Sequence, residues 1–597
     1  MANYKAQVFL FLVVFGRYIV CPGNVYERSV MPRVAISILA RNKVNSLPYF
    51  LTCLRLLEYP KERIDLWIQT ENNYDETDEI LHKWAERYKH LYHSFHLHSF
   101  VSSEPQEGKN EVKVFWNTAQ YKHVSKLREE ALNFARDIRA DYLFMLDADV
   151  ILTEPDTLKI LVGRRYKIVA PMLLSDGMYS NFWAGDTKDY SYERSSYFKK
   201  FFKRDILYLG CHNVPAVHSA VLISLTNESS KYLTYYPENS GYMDYGDDVS
   251  NFAASANRSK IMLCNDLLYG FTTMPSDDNE LVKEAQRFLN LKVDALGNEV
   301  EFPLDSYLKK YVTYPKRSRL GCDMVYMINL ERRPARRKLM MKTFKELGID
   351  VKRLPAVDGI MLNSTTMRRL NLQFMPGYED PYHKSVPRTD SDSASLKGTS
   401  LMKLFPQIVS RKYSLTMVLE DDARFSPNFR DSFFKMLIEV KRLDFDFIYL
   451  GRKIMMDGEE RITAHTTRPG YSYWTVGYLL TDRGAKKLLE AKPLQNMLPV
   501  DEFLPIMFDQ HPNTTWKSYF PKRDLIALSA NPLLVQPTHY TGMPGYVSDT
   551  ELSSIIFKDF DDTTYLLIHI LLTESDLQFI LLNTVVTVVT PFKGSSL

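Results

Sequence analysis

The chain has 597 residues, of which 45% are hydrophobic, 25% charged and 13% aromatic, a globular composition with room for several domains. With 24 glycines and 5 cysteines it is neither collagenous nor a small disulfide-stapled scaffold. Lys+Arg 75 against Asp+Glu 72 leaves a net charge of +3, which argues against a chain built to grip nucleic acid.

Residues 8–15 form an apolar run behind Lys5. A bilayer span needs about 20 apolar residues, so this run suits a secretory signal peptide over residues 1–23, with a buried first strand as the alternative. Sequons at Asn227, Asn257, Asn363 and Asn513 fit a lumenal path. Cys53, Cys211, Cys264 and Cys322 lack metal-ligand spacing, so one or two disulfides are expected rather than zinc.

Two domains are expected, at 30–275 and 321–552, each opening on a β-branched apolar strand. The first strand, 34–39, leads to Arg41. A later one, 142–146, runs into Asp147-Ala148-Asp149. Open α/β sheets bind ligands outside the carboxyl ends of their strands, and residues i and i+2 of an extended segment share a side. Asp147 and Asp149 can therefore converge on a hard divalent cation, Mg²⁺ or Mn²⁺, holding a diphosphate; a solvated turn is the plain alternative. Residues 276–320, rich in charge, Pro and Asn, are read as a linker with one helical piece near 281–291.

In the second half the strand 324–330 precedes Arg332, Arg333, Arg336 and Arg337 and a helical stretch at 335–347, stopped by Gly348. Spacings of 3 and 4 would put Arg333, Arg336 and Arg337 on one face, able to clamp a diphosphate. Residues 376–399 look like a polar loop. The strand 415–419 ends in Glu420-Asp421-Asp422, three acids that repel one another unless a cation sits among them. Asp501 and Glu502 lie in an apolar, proline-flanked segment, where a raised pKa would suit a base; capping a helix start is the alternative. The aromatic segments 179–183, 471–474 and His539-Tyr540 sit beside these sites; Trp183 and Trp474 are read as able to stack on a base or sugar face, the others as core packing. The tail, 553–597, holds two apolar pieces split by acids, neither long enough for a stable membrane span.

Several of these segments together resemble glycosyltransferase family 25 and its animal procollagen galactosyltransferases. They include Tyr326-Met-Ile-Asn-Leu-Glu-Arg-Arg, Leu419-Glu-Asp-Asp-Ala-Arg-Phe425, Ser472-Tyr-Trp-Thr475 and Leu498-Pro-Val-Asp-Glu-Phe-Leu-Pro505. Leu146-Asp-Ala-Asp149, Tyr179-Ser-Asn-Phe-Trp-Ala-Gly185 and Val217-His-Ser-Ala220 extend the likeness into the first half. The resemblance implies an α/β chain of two tandem glycosyltransferase-A-like (Rossmann-like) domains with mostly parallel sheets. It implies inverting transfer of galactose from UDP-galactose to hydroxylysine of unfolded procollagen or collagen-like chains, with Mn²⁺, in the endoplasmic reticulum lumen; a homodimer is compatible. Glu420 and Asp422 would then hold the metal with Asp421 in support. Asn329, Arg332, Arg333 and Arg336 would contact UDP, with Arg41, Trp183 and Trp474 as further nucleotide-sugar contacts. Asp501 or Glu502 would be the base. Asp147 and Asp149 would form a second metal–nucleotide site, with Asp247 or Asp248 as its distal acid.

Two departures stand against that pattern. The family carries a Gly-Glu-X-Gly-Cys-Phe-Leu-Ser-His segment where residues 397–405 here have no acid, Cys or His, and no retrieval tetrapeptide ends the chain. A catalytically weak relative acting as an adhesion or scaffold protein is the competing expectation.

Overall fold

The computed structural model describes residues 31–100, 118–183, 196–237, 244–256, 259–274, 281–357, 368, 371–373, 375–377 and 397–538. The expected signal peptide (1–23), the tail (553–597), His539, Tyr540, the sequons at Asn257 and Asn363 and most of the polar loop 376–399 lie outside the described residues. The chain divides into two compact units, one of residues up to 295 with 300–313, the other of 296–299 with 314 onward.

In the first unit, β1 (Val34–Ala40), β2 (Ile64–Glu71), β3 (Ser94–Phe100), β4 (Tyr142–Asp147), β5 (Ile168–Pro171), β6 (Cys211–Val214), β7 (Ala220–Ser224) and β8 (Ile261–Cys264) form one sheet. Its order is β3-β2-β1-β4-β7-β5-β8-β6. Alternate residues of each central strand enter separate cores: Ile36, Ile38, Phe144 and Leu146 on one face, Ala35, Leu143 and Met145 on the other. Burial on both faces explains the continuous apolar runs. Helices α1 (Leu47–Leu56) and α2 (Thr77–Tyr88) cover one face; α3 (Thr118–Asp137) and α4 (Asp248–Ser255) cover the other.

The second unit repeats the scheme with β9 (Met324–Asn329), β10 (Lys352–Pro355), β11 (Leu415–Glu420), β12 (Phe447–Ile454), β13 (Thr466–Thr467), β14 (Ser472–Thr481) and β15 (Ala527–Ala530), in the order β10-β9-β11-β14-β12-β15-β13. The helices here include α6 (Pro334–Leu347), α7 (Lys397–Arg411), α8 (Asp482–Glu490) and α9 (Val500–Met507). The stretch that departs from the family pattern is thus helical, and Leu404, Phe405 and Ile408 of α7 are buried in the core with Phe503 and Leu504 of α9.

The α/β class holds; four of seven strand pairings are parallel in the first sheet and three of six in the second, the rest antiparallel. In each unit the acid-bearing strand runs parallel to the first strand on one side (β1·β4, β9·β11). On its other side lies an antiparallel strand (β7 or β14), itself antiparallel to the next. An apolar run buried on both faces carries no mark of its direction, so this was not readable from sequence. The stretch 276–320 also differs from a plain connection. A helix, α5 (Leu281–Gly297), puts Phe288, Leu291 and Ala295 at spacings of 3 and 4 into the first core, where Phe288 packs 5.5 Å from the Tyr49 ring and Phe302 joins them.

Candidate active site

In the first unit Asp147 closes β4, and its backbone N–H donates to the Ser219 carbonyl (2.8 Å) just before β7. Its carboxylate accepts from Arg128 of α3 (2.9 Å). The same guanidinium donates through Nε to Asp248 (2.5 Å), the first residue of α4. Asp149 accepts from Lys43 Nζ (2.7 Å) and Thr273 Oγ1 (3.0 Å). Of the two expected distal acids, Asp248 therefore reaches the site. Asp247 is spent as the N-cap of α4, accepting from the Ser250 N–H (2.8 Å).

The environments push the two acids of the pair apart. Burial and repulsion from Asp149 hold Asp147 above the ordinary carboxylate range against the pull of Arg128. Asp149 is also penalised by burial, but the Lys43 ammonium and the hydrogen bonds it accepts bring it below that range. Nearby, burial lowers His218 to about 4, so its imidazole is neutral, with Nδ1 2.9 Å from Ser219 Oγ and Nε2 3.3 Å from the Tyr179 hydroxyl. Arg41 sits past β1 with a buried Nε that has no hydrogen-bond partner among the described residues. Trp183 ends a two-residue strand paired with Ala216.

In the second unit Glu420 closes β11 and accepts from Thr475 Oγ1 (2.8 Å). Asp421 accepts from Asn329 Nδ2 (2.6 Å) and lies 3.5 Å from Arg336 Nη1, which is 3.7 Å from Asp422. The Asp422 carbonyl takes both the N–H (2.8 Å) and the hydroxyl (2.7 Å) of Thr538. Asn329 is oriented by Arg353, whose Nε donates to its Oδ1 (3.0 Å). The arginine face expected from spacing is divided. Pro334 starts α6, so Arg333 sits at the N-cap position; Arg337 pairs with Glu331 (3.2 Å), Arg332 is exposed, and Arg336 faces Asp421 and Asp422.

Glu502, on α9, corrects the expectation of a raised pKa. Its carboxylate accepts from Tyr473 (2.6 Å), Tyr471 (2.8 Å) and His511 Nε2 (2.8 Å). The Asn513 N–H donates to His511 Nδ1 (3.0 Å), which assigns the ring proton to Nε2. Burial pushes Glu502 up, but these three bonds outweigh it and leave the acid below its usual range. Asp501 precedes it on the same turn, half-buried.

Strand β14 is irregular beside these groups. Its ladder with β12 pairs Lys453 with Tyr473 and then Gly451 with Gly477, so β14 carries extra residues at Trp474–Val476, a β-bulge. Trp474 takes a left-handed backbone (φ 67°), and the Lys453 ammonium lies 5.4 Å from the centre of its ring. Glycine is required opposite the bulge: a Cβ on Gly451 would stand 2.3 Å from the Val535 carbonyl oxygen. Arg452, buried between the sheet strands, donates to Ser472 (2.8 Å), Ser529 (2.7 Å) and Glu459 (2.8 Å).

Sequence reading found the acids and missed their partners. Lys43 stands two residues past Arg41 in the same loop and was within reach of it. Nothing local ties Arg128 to positions 147 and 248, or His511 and the two tyrosines to Glu502. Among the described residues, one group of three potential ligands converges within 4.8 Å, namely Cys211, Cys264 and Asp266, and its cysteines are joined in a disulfide. Cys53 and Cys322 are buried free thiols. No helix among the described residues is long and apolar enough to cross a membrane.

Comparison with known proteins places this architecture. Residues 31–292 match the model of the glycosyltransferase family 25 N-terminal domain, and residues 323–504 match that of glycosyltransferase family 25 (LPS biosynthesis protein). A glycosyltransferase 25 family member of Drosophila melanogaster is 39% identical over 573 residues, 91% of this chain and 92% of the relative. Procollagen galactosyltransferase 2 of Homo sapiens is 39% identical over 547 residues, 89% and 86% of the two chains. Procollagen galactosyltransferase 1-B of Xenopus laevis is 41% identical over 536 residues, 87% and 86%. A solved mannosyltransferase of Pyrobaculum calidifontis, in complex with GDP-Man and Mn²⁺, overlaps 51% of this chain and 75% of its own at 16% identity and a TM-score of 0.25, too slight a likeness to build on. Both halves of the sequence, each with its acids at a strand end, fall under one heading: the chain belongs to glycosyltransferase family 25.

Proposed function

We propose that the chain transfers galactose from UDP-galactose to hydroxylysine side chains of unfolded procollagen or collagen-like chains, with inversion at the anomeric carbon. One observation carries this reading: identity of 39–41% over 87–89% of the chain to proteins named procollagen galactosyltransferase. In this reading the reaction belongs to the lumen of the endoplasmic reticulum, which the Cys211–Cys264 disulfide supports as a sign of an oxidising compartment.

Mn²⁺, or Mg²⁺ in its place, suits the donor chemistry: Asp147, Asp149 and Asp248 in the first unit and Glu420 and Asp422 in the second are hard oxygen ligands, and to hold the ion they would have to draw closer together than the structure places them. Such an ion, when bound, neutralises charge growing on the departing diphosphate. In the second unit Asn329 and Arg336 hold Asp421, and Arg332, Arg333 and Arg336 reach the diphosphate. Trp474 stacks on the nucleotide sugar, as Trp183 and Arg41 contact it in the first unit. Both Glu502 oxygens are engaged by three donors, and Asp501, beside it, is taken as the base that accepts the hydroxyl proton. An extended, proline-rich acceptor suits an aromatic-lined surface.

The test is a transfer assay with purified protein, UDP-galactose, Mn²⁺ and a hydroxylysine peptide. Chelation is expected to abolish turnover, and Asp147→Ala and Asp422→Ala report on the two units separately. Full activity in excess chelator removes the metal from the scheme. Absence of turnover with every sugar nucleotide overturns the transferase reading in favour of a scaffold role.

A further inference from the structure

A bulge interrupts the ladder that would hold a strand straight, so something other than β-pairing must fix its path. In β14 the side chains do this. Tyr471 and Tyr473 stand two apart and fall on one side of the extended chain, where both hydroxyls meet the Glu502 carboxylate (2.8 and 2.6 Å). Ser472, on the other side, is gripped by Arg452 (2.8 Å). The chain then turns through the left-handed Trp474 and delivers Thr475 Oγ1 to Glu420 (2.8 Å).

A largely buried carboxylate is costly unless its lone pairs are satisfied. Here three donors from outside its helix satisfy it, and two of them sit at the foot of the bulge. We infer that Glu502 is a positioning residue: by anchoring Tyr471 and Tyr473 it fixes the bulge that turns at Trp474 and sets Thr475 against Glu420. The carboxylate stays ionised and carries no proton in the reaction. His511, locked by Asn513, holds it from the third direction.

The kinetic part of this inference rests on the transferase reading, so the experiment also measures nucleotide binding. Tyr473→Phe removes one hydroxyl and leaves both rings and the carboxylate, which protects the comparison should Glu502→Gln fail to fold. Both variants are checked by thermal melting, by calorimetric titration with UDP and Mn²⁺, and by kcat and KM across pH. Each folded variant is expected to weaken UDP binding and lower kcat/KM about ten-fold, the scale for a lost hydrogen bond to a charged group. The acid limb of the pH profile stays in place. The double variant is expected to be no worse than Glu502→Gln alone, because both act through one chain of contacts. The inference is overturned if Glu502→Gln loses turnover and the acid limb while Tyr473→Phe matches wild type, which would make the carboxylate the base. It is equally overturned if the folded variants keep wild-type affinity and turnover. A wild-type protein without turnover removes the transferase reading, and the UDP titrations alone then decide the positioning role.

Discussion

Arg128 answers two carboxylates with one guanidinium, Nη2 toward Asp147 and Nε toward Asp248, and is itself largely buried. A planar fork can serve both acids at once; a lysine ammonium at that position cannot reach them in the same geometry. Arg128→Ala leaves two part-buried acids facing each other and is expected to cost about 3 kcal/mol of stability in a denaturant titration. Arg128→Lys should recover less than half of that loss; full recovery would show that charge alone, rather than the fork, matters. At this scale the sequence was legible in one direction only. A run of apolar residues ending in acids announces Asp147, Asp149, Glu420 and Asp422. Their partners come from α3, the loop past β1 and the segment beyond residue 271, and no spacing links them. Glu502 departs from expectation for the same reason: His511 and then two tyrosines 31 and 29 residues away donate to it, and together they outweigh burial.

At the scale of elements, the two ends of each sheet have separate tasks. The carboxyl ends of β4 and β11 carry the acids of the candidate sites. The opposite ends are tied by fully buried carboxylates. Asp65, in β2, takes Arg33 through two bonds (2.7 and 2.9 Å). Asp446, just before β12, takes Arg483 (2.5 Å), Lys487 of α8 (2.8 Å) and the Ile526 N–H (2.9 Å). Burial raises the Asp446 pKa, but these donors bring it below its ordinary value. A depressed folded pKa means the stabilisation is complete above the unfolded value of about 3.9 and is lost as pH falls through the folded one. Asp446→Asn should therefore lower the urea midpoint at pH 7, and its gap to wild type should narrow progressively as the pH is taken down below about 3.9. A gap that stays constant over that descent would show that the charge is not what Asp446 contributes. Element type was readable from apolar periodicity; direction was not. β7 and β14 look like any other buried run, and only their partners reveal that they are antiparallel.

At the scale of the molecule, the chain holds two units of one design. The parallel first strand, the acid-bearing strand and the antiparallel neighbour recur in that order. Near the acids each unit has a non-glycine residue in the left-handed region, Ser219 just before β7 (φ 64°) and Trp474 within β14 (φ 67°). The first unit adds a covalent tie, Cys211–Cys264, joining opposite residues of β6 and β8 across 53 positions of sequence. A loop of that length is expected to contribute about 2–4 kcal/mol, so Cys211→Ser with Cys264→Ser should lower the first unit's melting temperature. An unchanged melt would show that sheet pairing alone holds the edge. The bulge in β14 has a consequence for how this protein can fail. A strand that carries surplus residues against its partner has no equivalent neighbouring alignment to slip into. Moving it by one position would drag Thr475 off Glu420 and both hydroxyls off Glu502 together. Slippage here would cost the sheet pairing and the site together, because both depend on the same contacts.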